Sequence, residues 1–155
     1  MRPGHEGIPR GRILVVDDQE NMCWVLSKLL SERGHEVRAA YTEASALKAL
    51  ASGFECQVAI VDYRLPDSNG IALILEMRSR LPRLQSILMT SYGNACLRQL
   101  AMDEKLFAYL DKPFNNGLMI RTVEDALCAW ETGDDSLARG THTQTLFPGR
   151  ALSQK

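Results

Sequence analysis

Apolar residues gather in four short runs, each ending in polar ones: Ile13-Leu14-Val15-Val16 before Asp17 and Asp18, Val58-Ala59-Ile60-Val61 before Asp62, Ile87-Leu88-Met89 before Thr90, and Phe107-Ala108-Tyr109-Leu110 before Asp111 and Lys112. Runs this short and uniform are the pattern of strands buried on both faces. The stretches between them carry apolar residues at helical spacing: Met22, Val25, Leu26, Leu29 and Leu30; Leu47 with Leu50; Ile71, Ile74 and Leu75; Val123, Leu127 and Trp130. Strand therefore alternates with helix, which predicts an α/β fold with a doubly wound parallel sheet covered by helices on both faces. In open sheets of this kind ligands bind beyond the carboxyl ends of the strands. Asp17, Asp18, Asp62, Thr90 and Lys112 all fall there.

Turn-forming residues set the boundaries. The first strand runs to Val16 and the first helix from about Glu20 to Arg33, stopped by Gly34. A second strand over about Glu36 to Ala40 leads to a helix that Thr42 can cap and Gly53 can end. After Asp62, the segment Tyr63-Arg-Leu-Pro-Asp-Ser-Asn-Gly70 is turn chemistry. A third helix, a fourth strand, a short helix over about Asn94 to Met102, a fifth strand and a fifth helix complete five strand–helix units. Residues 1–10, with two Pro and two Gly, read as a loose leader, 11–132 as one domain, and the polar, aperiodic stretch 133–155 as a disordered tail.

A chain of 155 residues can bury roughly 68–70% of its unfolded surface, enough for a single core. Its 18 Lys and Arg against 19 Asp and Glu are scattered, so there is no basic footprint for nucleic acid. No apolar stretch approaches the roughly 20 residues of a membrane helix, and the polar start lacks a secretory signal's apolar segment, so the expectation is a cytoplasmic protein without membrane contact. Cys23, Cys56, Cys96 and Cys128 show no metal or redox spacing and read as small hydrophobes in a reducing compartment. His5, His35 and His142 fall in the leader, a turn and the tail, none at a strand end. Trp24 and Trp130 read as half-buried helix residues.

The chemistry follows from the acidic cluster. Two carboxylates about 4 Å apart repel by roughly 4 kcal/mol at an effective dielectric near 20, so protons or a cation must relieve the charge. A pocket of oxygens suits Mg2+, and with charge neutralised one carboxylate can attack phosphorus to form an acyl phosphate. Lys112 offers positive charge to the phosphoryl oxygens and Thr90 a hydroxyl donor.

Val15-Val-Asp-Asp18, Val61-Asp-Tyr-Arg-Leu-Pro-Asp67 with Gly70, Met89-Thr-Ser-Tyr-Gly93 and Tyr109-Leu-Asp-Lys-Pro-Phe114 together resemble the receiver domain of bacterial two-component response regulators, from roughly Gly11 to Trp130. The resemblance implies the flavodoxin-like order 2-1-3-4-5 for five parallel strands with five helices. It implies Asp62 as phosphoacceptor, Mg2+ held by Asp18, Asp62 and the backbone carbonyl of Arg64 with Asp17 acting through water, and a Lys112-Pro113 peptide bond that is cis. Thr90 matches the switch hydroxyl and Tyr109 the aromatic that changes rotamer with it. The implied partners are a sensor histidine kinase or histidine phosphotransfer protein, and a downstream target on the face of the fourth helix, fifth strand and fifth helix, which could also support a homodimer.

The first helix, with Glu20-Asn-Met-Cys-Trp-Val-Leu26, is similar to receivers of nitrogen-regulatory activators, whose ATPase would begin where this sequence stops; no Gly-x-x-x-x-Gly-Lys-Ser/Thr loop occurs. The expectation is a stand-alone receiver that catalyses only its own phosphotransfer and dephosphorylation, with a phosphorylation-independent interaction module as the alternative. A hydrolase with an aspartyl nucleophile fits poorly, because Arg64 stands where a general acid would be needed. Two departures from many relatives are Lys105-Leu106 in place of Gly-Ala and Ser91 in place of alanine. Arg64 and Ser91 border the phosphoryl site, where they can tune the lifetime of the phosphate.

Overall fold

The computed structural model describes residues 10–133. The expected leader apart from Arg10, and the expected tail apart from Gly133, lie outside the described residues. Five strands, β1 (Arg12–Val16), β2 (Glu36–Ala40), β3 (Val58–Asp62), β4 (Gln85–Thr90) and β5 (Ala108–Asp111), alternate with α1 (Glu20–Ser31), α2 (Glu43–Ala51), α3 (Gly70–Arg80), α4 (Ala95–Asp103) and α5 (Asn116–Thr132). All strand pairs are parallel, in the order β2-β1-β3-β4-β5. This is the flavodoxin-like arrangement, and it reverses direction between β1 and β3. Helices cover both faces because successive side chains of a strand point to opposite sides. Ile13 to Val16, Val58 to Val61 and Ile87 to Met89 are accordingly sealed from solvent.

Register places the polar residues together. Val16 lies beside Ala40 and Val61, Asp62 beside Met89, and Thr90 beside Asp111. The residues that follow β1, β3, β4 and β5 therefore emerge at one edge.

Local chemistry fixes the helix starts. Thr42 forms a reciprocal capping box with Ser45, while Asn69, Asn94 and Asn115 accept from the third amide of α3, α4 and α5; a cap of this kind contributes about 1 kcal/mol. Asp67, in the loop after β3, also receives the amides of Glu43 and Ala44 at 2.9 and 3.2 Å, tying that loop to the start of α2. Gly70 lets α3 begin directly against β3, because a Cβ there would stand 2.5 Å from the Asp62 carbonyl.

The periodic reading of α1 was too broad. Its core face is Cys23, Leu26 and Leu30, whereas Trp24 is 65% and Val25 41% exposed. Trp24 is thus a surface residue, with Lys28 over its ring at 5.6 Å, and not the half-buried one expected. Leu75 of α3 is likewise exposed, while Trp130 is half-buried. The helix ends at Ser31, with Gly34 at φ 94, and β5 starts at Ala108, one residue later than its apolar run. His35 is buried and accepts the Gly11 amide on Nδ1 at 3.0 Å, so its turn is anchored to the start of β1.

Lys105, after α4, takes the left-handed φ of 59° that glycine adopts freely. The Arg78 guanidinium of α3 donates to the carbonyls of Glu104 and Lys105 at 2.7 and 3.4 Å, gripping this end of α4. Arg33, in the turn that follows α1, pairs with Glu124 of α5 at 2.8 Å.

Candidate functional site

Two carboxylates leave the end of β1. Asp17 is fully buried, its amide bonded to the Ala40 carbonyl and its Oδ1 accepting the Gln19 amide at 2.9 Å. Asp18, next in the chain, faces solvent at the rim. Asp62, the last residue of β3, is buried, and one oxygen from each of the three carboxylates lies within 4.8 Å of the others.

Lys112 enters from the end of β5. Its Nζ lies 2.6 Å from Asp17 Oδ2 and 3.3 Å from Asp62 Oδ1, with only 8% of its side chain exposed. Its amide donates to the Thr90 carbonyl at 2.8 Å, which sets the lysine beside β4, and the following Lys112-Pro113 bond is cis, as expected. Thr90 is buried, and its Oγ1 accepts the Tyr92 amide at 3.1 Å.

The electrostatics explain what such a site does. Burial first, and the neighbouring Asp17 charge second, push the Asp62 pKa up to about 6 even though Lys112 pulls it down. Burial disfavours the Lys112 ammonium, but the hydrogen bond and charge of Asp17, joined by Asp62, outweigh it and hold its pKa above the ordinary lysine value. One ammonium therefore stands against two of the three carboxylates and leaves negative charge of the cluster uncompensated. An all-oxygen donor set with surplus negative charge fits a hard divalent cation such as Mg2+. The same balance lets a dianionic phosphoryl group approach only when positive charge is supplied.

Around these groups is a cavity of about 280 Å³ lined by Asp18, Gln19, Asp62, Arg64, Thr90, Tyr92 and Lys112, among others. A larger cleft of about 540 Å³ between the start of α1 and the Pro113–Asn116 turn shares Asp18 and Gln19 with it. Arg64 is held by a backbone bridge to Asn69, and its guanidinium lies 4.4 Å from the centre of the exposed Tyr92 ring.

Tyr109 is fully buried in β5, beside Leu88 and two residues before Asp111, which pairs with Thr90. Burial, then the charge and hydrogen bond of Asp111, push its hydroxyl up to about 12. Gly93 sits over this pair: an added Cβ would collide with both the Tyr109 hydroxyl and Asp111.

All of Asp17, Asp18, Asp62, Thr90, Lys112 and Arg64 thus gather at one strand edge, with Tyr109 behind them. Sequence reading missed Tyr92, Gly93 and Asp111. One signal was present: Tyr92 follows Thr90 by the same two residues by which Arg64 follows Asp62. The cysteines carry no disulfide; Cys23 and Cys56 are buried, Cys128 is half-buried and Cys96 is exposed. No described helix is long and apolar enough to cross a membrane.

Comparison with known proteins gives a consistent picture. A sequence model described as response regulator receiver domain matches residues 13–124. The DNA-binding transcriptional regulator NtrC of Escherichia coli K12 is 33% identical over 122 residues, covering 79% of this chain and 26% of NtrC. Regulatory protein AtoC of the same strain is 34% identical over 116 residues, covering 75% of this chain and 25% of AtoC. The chain thus spans about a quarter of the length of these relatives. Among solved structures, a CheY-like receiver domain protein from Methanospirillum hungatei JF-1 superposes with a TM-score of 0.75 at 25% identity, covering 81% of this chain and 100% of that one. The beryllofluoride-activated NtrC4 receiver domain dimer gives 0.72 at 28% identity, covering 77% and 98%.

Proposed function

Given that the chain belongs to the response regulator receiver family, we propose that it accepts a phosphoryl group on Asp62 from the phosphohistidine of a sensor kinase or a histidine phosphotransfer protein. Receivers are signalling domains of two-component systems, and the observation that carries the specific reading is the convergence of Asp17, Asp18, Asp62, Thr90 and Lys112 on one pocket. The receiver unit is proposed to span 11–132.

Asp62 is the nucleophile: its carboxylate oxygen bonds to phosphorus as the bond to the donor's imidazole nitrogen breaks, and the electron pair leaves on the imidazole. Lys112, already held between Asp17 and Asp62, offers its ammonium to a phosphoryl oxygen. Thr90 turns its hydroxyl from the strand edge toward another. Asp18, Asp62 and the Arg64 carbonyl would hold Mg2+, with Asp17 alongside. When bound, the ion supplies the positive charge that the carboxylates and phosphoryl oxygens lack.

Signalling follows from packing. Thr90 is joined through the β4–β5 pairing to the segment that carries Tyr109, so a change at Thr90 is felt at that ring. The α4, β5 and α5 face is the proposed target surface, and self-association through it is one form of output.

The test is intact mass after incubation with Mg2+ and acetyl phosphate. One added phosphoryl group on the wild type, absent without Mg2+ and absent from Asp62→Asn, supports the reading. An adduct that persists in Asp62→Asn overturns it.

A further inference from the structure

The loop that carries the Arg64 carbonyl is a small hairpin. Its base is closed by the bridge between Arg64 and Asn69 and by the Gly70 amide on the Tyr63 carbonyl at 2.7 Å, its turn by the Leu65 amide on the Ser68 carbonyl at 3.2 Å. One leg continues from β3 and the other ends in Asn69, the cap of α3, so both legs are fixed. Arg64, Leu65 and Pro66 line the phosphoryl cavity, and the Leu65 side chain is buried. Asp67, the next residue, is exposed and reaches another element. Its two oxygens accept, one each, the amides of Glu43 and Ala44, the first two residues of α2, at 2.9 and 3.2 Å.

α2 has a cap of its own. Thr42 takes the Ser45 amide at 3.0 Å and closes the reciprocal box. The Glu43 and Ala44 amides have no partner within the helix, and at an exposed start water can serve them. What the Asp67 carboxylate adds is a fixed distance between α2 and the tip of the hairpin, set by two charge-assisted bonds at the positive end of a helix.

We propose that Asp67 is a positioning residue for the metal: by pinning the hairpin to α2, it keeps the Arg64 carbonyl where a divalent cation held by Asp18 and Asp62 can use it. This rests on the reading of that pocket as a Mg2+ site. A cation that takes oxygens from separate segments binds the molecules in which those segments already stand together, and its apparent Kd rises as their fraction falls. Asp62 ends a strand locked in the sheet and Asp18 follows another closely, whereas Arg64 stands in the hairpin, two residues beyond β3. Release of the tip therefore acts on the carbonyl and spares the carboxylates. The coupling runs both ways: if Asp67 tightens the metal site, a bound cation steadies the start of α2.

The experiment titrates Mg2+ alone into the protein, with no phosphodonor, and reads Kd from the NMR shifts of the Asp18 and Asp62 amides. Groups that bond directly to metal ligands typically count for about 10–100-fold in affinity. Asp67 acts through the backbone and from the surface, so Asp67→Ala is expected to raise Kd by less, about three- to tenfold. Asp67→Asn, with one acceptor oxygen left for two amides, is expected to lie between them. Thr42→Ala is the control: it weakens the same helix start but removes no bond to the hairpin, so it should lower Tm and leave Kd at the wild-type value. Mg2+ is also expected to slow hydrogen exchange of the Glu43 and Ala44 amides in the wild type. A wild-type Kd in Asp67→Ala overturns the proposal, as does an equal rise in Thr42→Ala, which would reflect general loosening of α2. Exchange at Glu43 and Ala44 that ignores Mg2+ overturns it too. A wild type that shows no titration at all overturns the reading of the pocket as a Mg2+ site, and is thereby told apart from failure of the anchor.

Discussion

Replacing Asp62 by asparagine tests the charge balance of the site directly, without any phosphodonor. The side chain is buried and its pKa rises from the ordinary 3.8 to about 6. A carboxyl whose pKa is higher in the folded than in the unfolded state favours folding while it is protonated. That contribution is complete below about pH 4 and gone above about pH 6, so at neutral pH ionised Asp62 weighs against the fold by about 3 kcal/mol, at 1.36 kcal/mol per pH unit. Asparagine keeps the shape and carries no charge. In EDTA at pH 7.5, Asp62→Asn is therefore expected to be more stable than the wild type by up to about 3 kcal/mol, or roughly 10 °C in Tm. At pH 5 the gap shrinks to about half. The assay is urea unfolding followed by circular dichroism at both pH values. Mg2+ at ten times its Kd should then raise the wild type by about 1.4 kcal/mol and the variant by much less. Equal midpoints at pH 7.5, or a gap that does not change with pH, would refute the reasoning that Lys112 leaves negative charge uncompensated.

Lys112→Ala leaves the fully buried Asp17 carboxylate without its 2.6 Å partner; in EDTA it should lose about 3–5 kcal/mol of stability, part of which Mg2+ restores. The same variant is expected to accept some phosphoryl group yet fail to signal, and phosphorylation-dependent NMR shifts in α4 and β5 that match the wild type would contradict this. Lys105→Gly relieves the left-handed backbone at φ 59° and should stabilise the protein by about 0.5–1 kcal/mol in thermal melts. Gly93→Ala forces a methyl against Tyr109 and Asp111; a loss of about 1–3 kcal/mol in urea is expected, with Tyr109 becoming accessible to nitration.

Much of the site was legible because the chain writes it locally. An unbroken apolar run followed by a polar residue marks a strand end, and four such ends account for Asp17, Asp18, Asp62, Thr90 and Lys112. The alternation of runs and helical periods predicted a parallel sheet, but only the family resemblance supplied the strand order that the pairing now exhibits. Helix faces were read less well. Val25 and Leu75 fit a 3.6-residue period yet lie outside the strip that touches the sheet, and spacing alone does not say how wide that strip is. Contacts between distant segments left no pattern at all. Arg78 on the carbonyls after α4, Arg33 with Glu124, His35 with the Gly11 amide and Asp67 at the start of α2 each join residues 23 or more apart. Such pairings depend on side-chain reach after folding, which no local window contains.

Arg78 grips only the far end of α4, while the near end follows the Thr90–Gly93 segment of the phosphoryl site. A rod fastened at one end can answer a push at the other only by swinging. At 1.5 Å per residue, the nine residues of α4 form a lever roughly 13 Å long, and a shift of its free tip is divided along its length in proportion to distance from the pivot. Residues near Asn94 would travel furthest and those near Asp103 hardly at all. Amide exchange that quickens across the first turn of α4 on phosphorylation, but stays constant in its last, is the signature of that pivot; uniform exchange along the helix would mean that it moves as a free body.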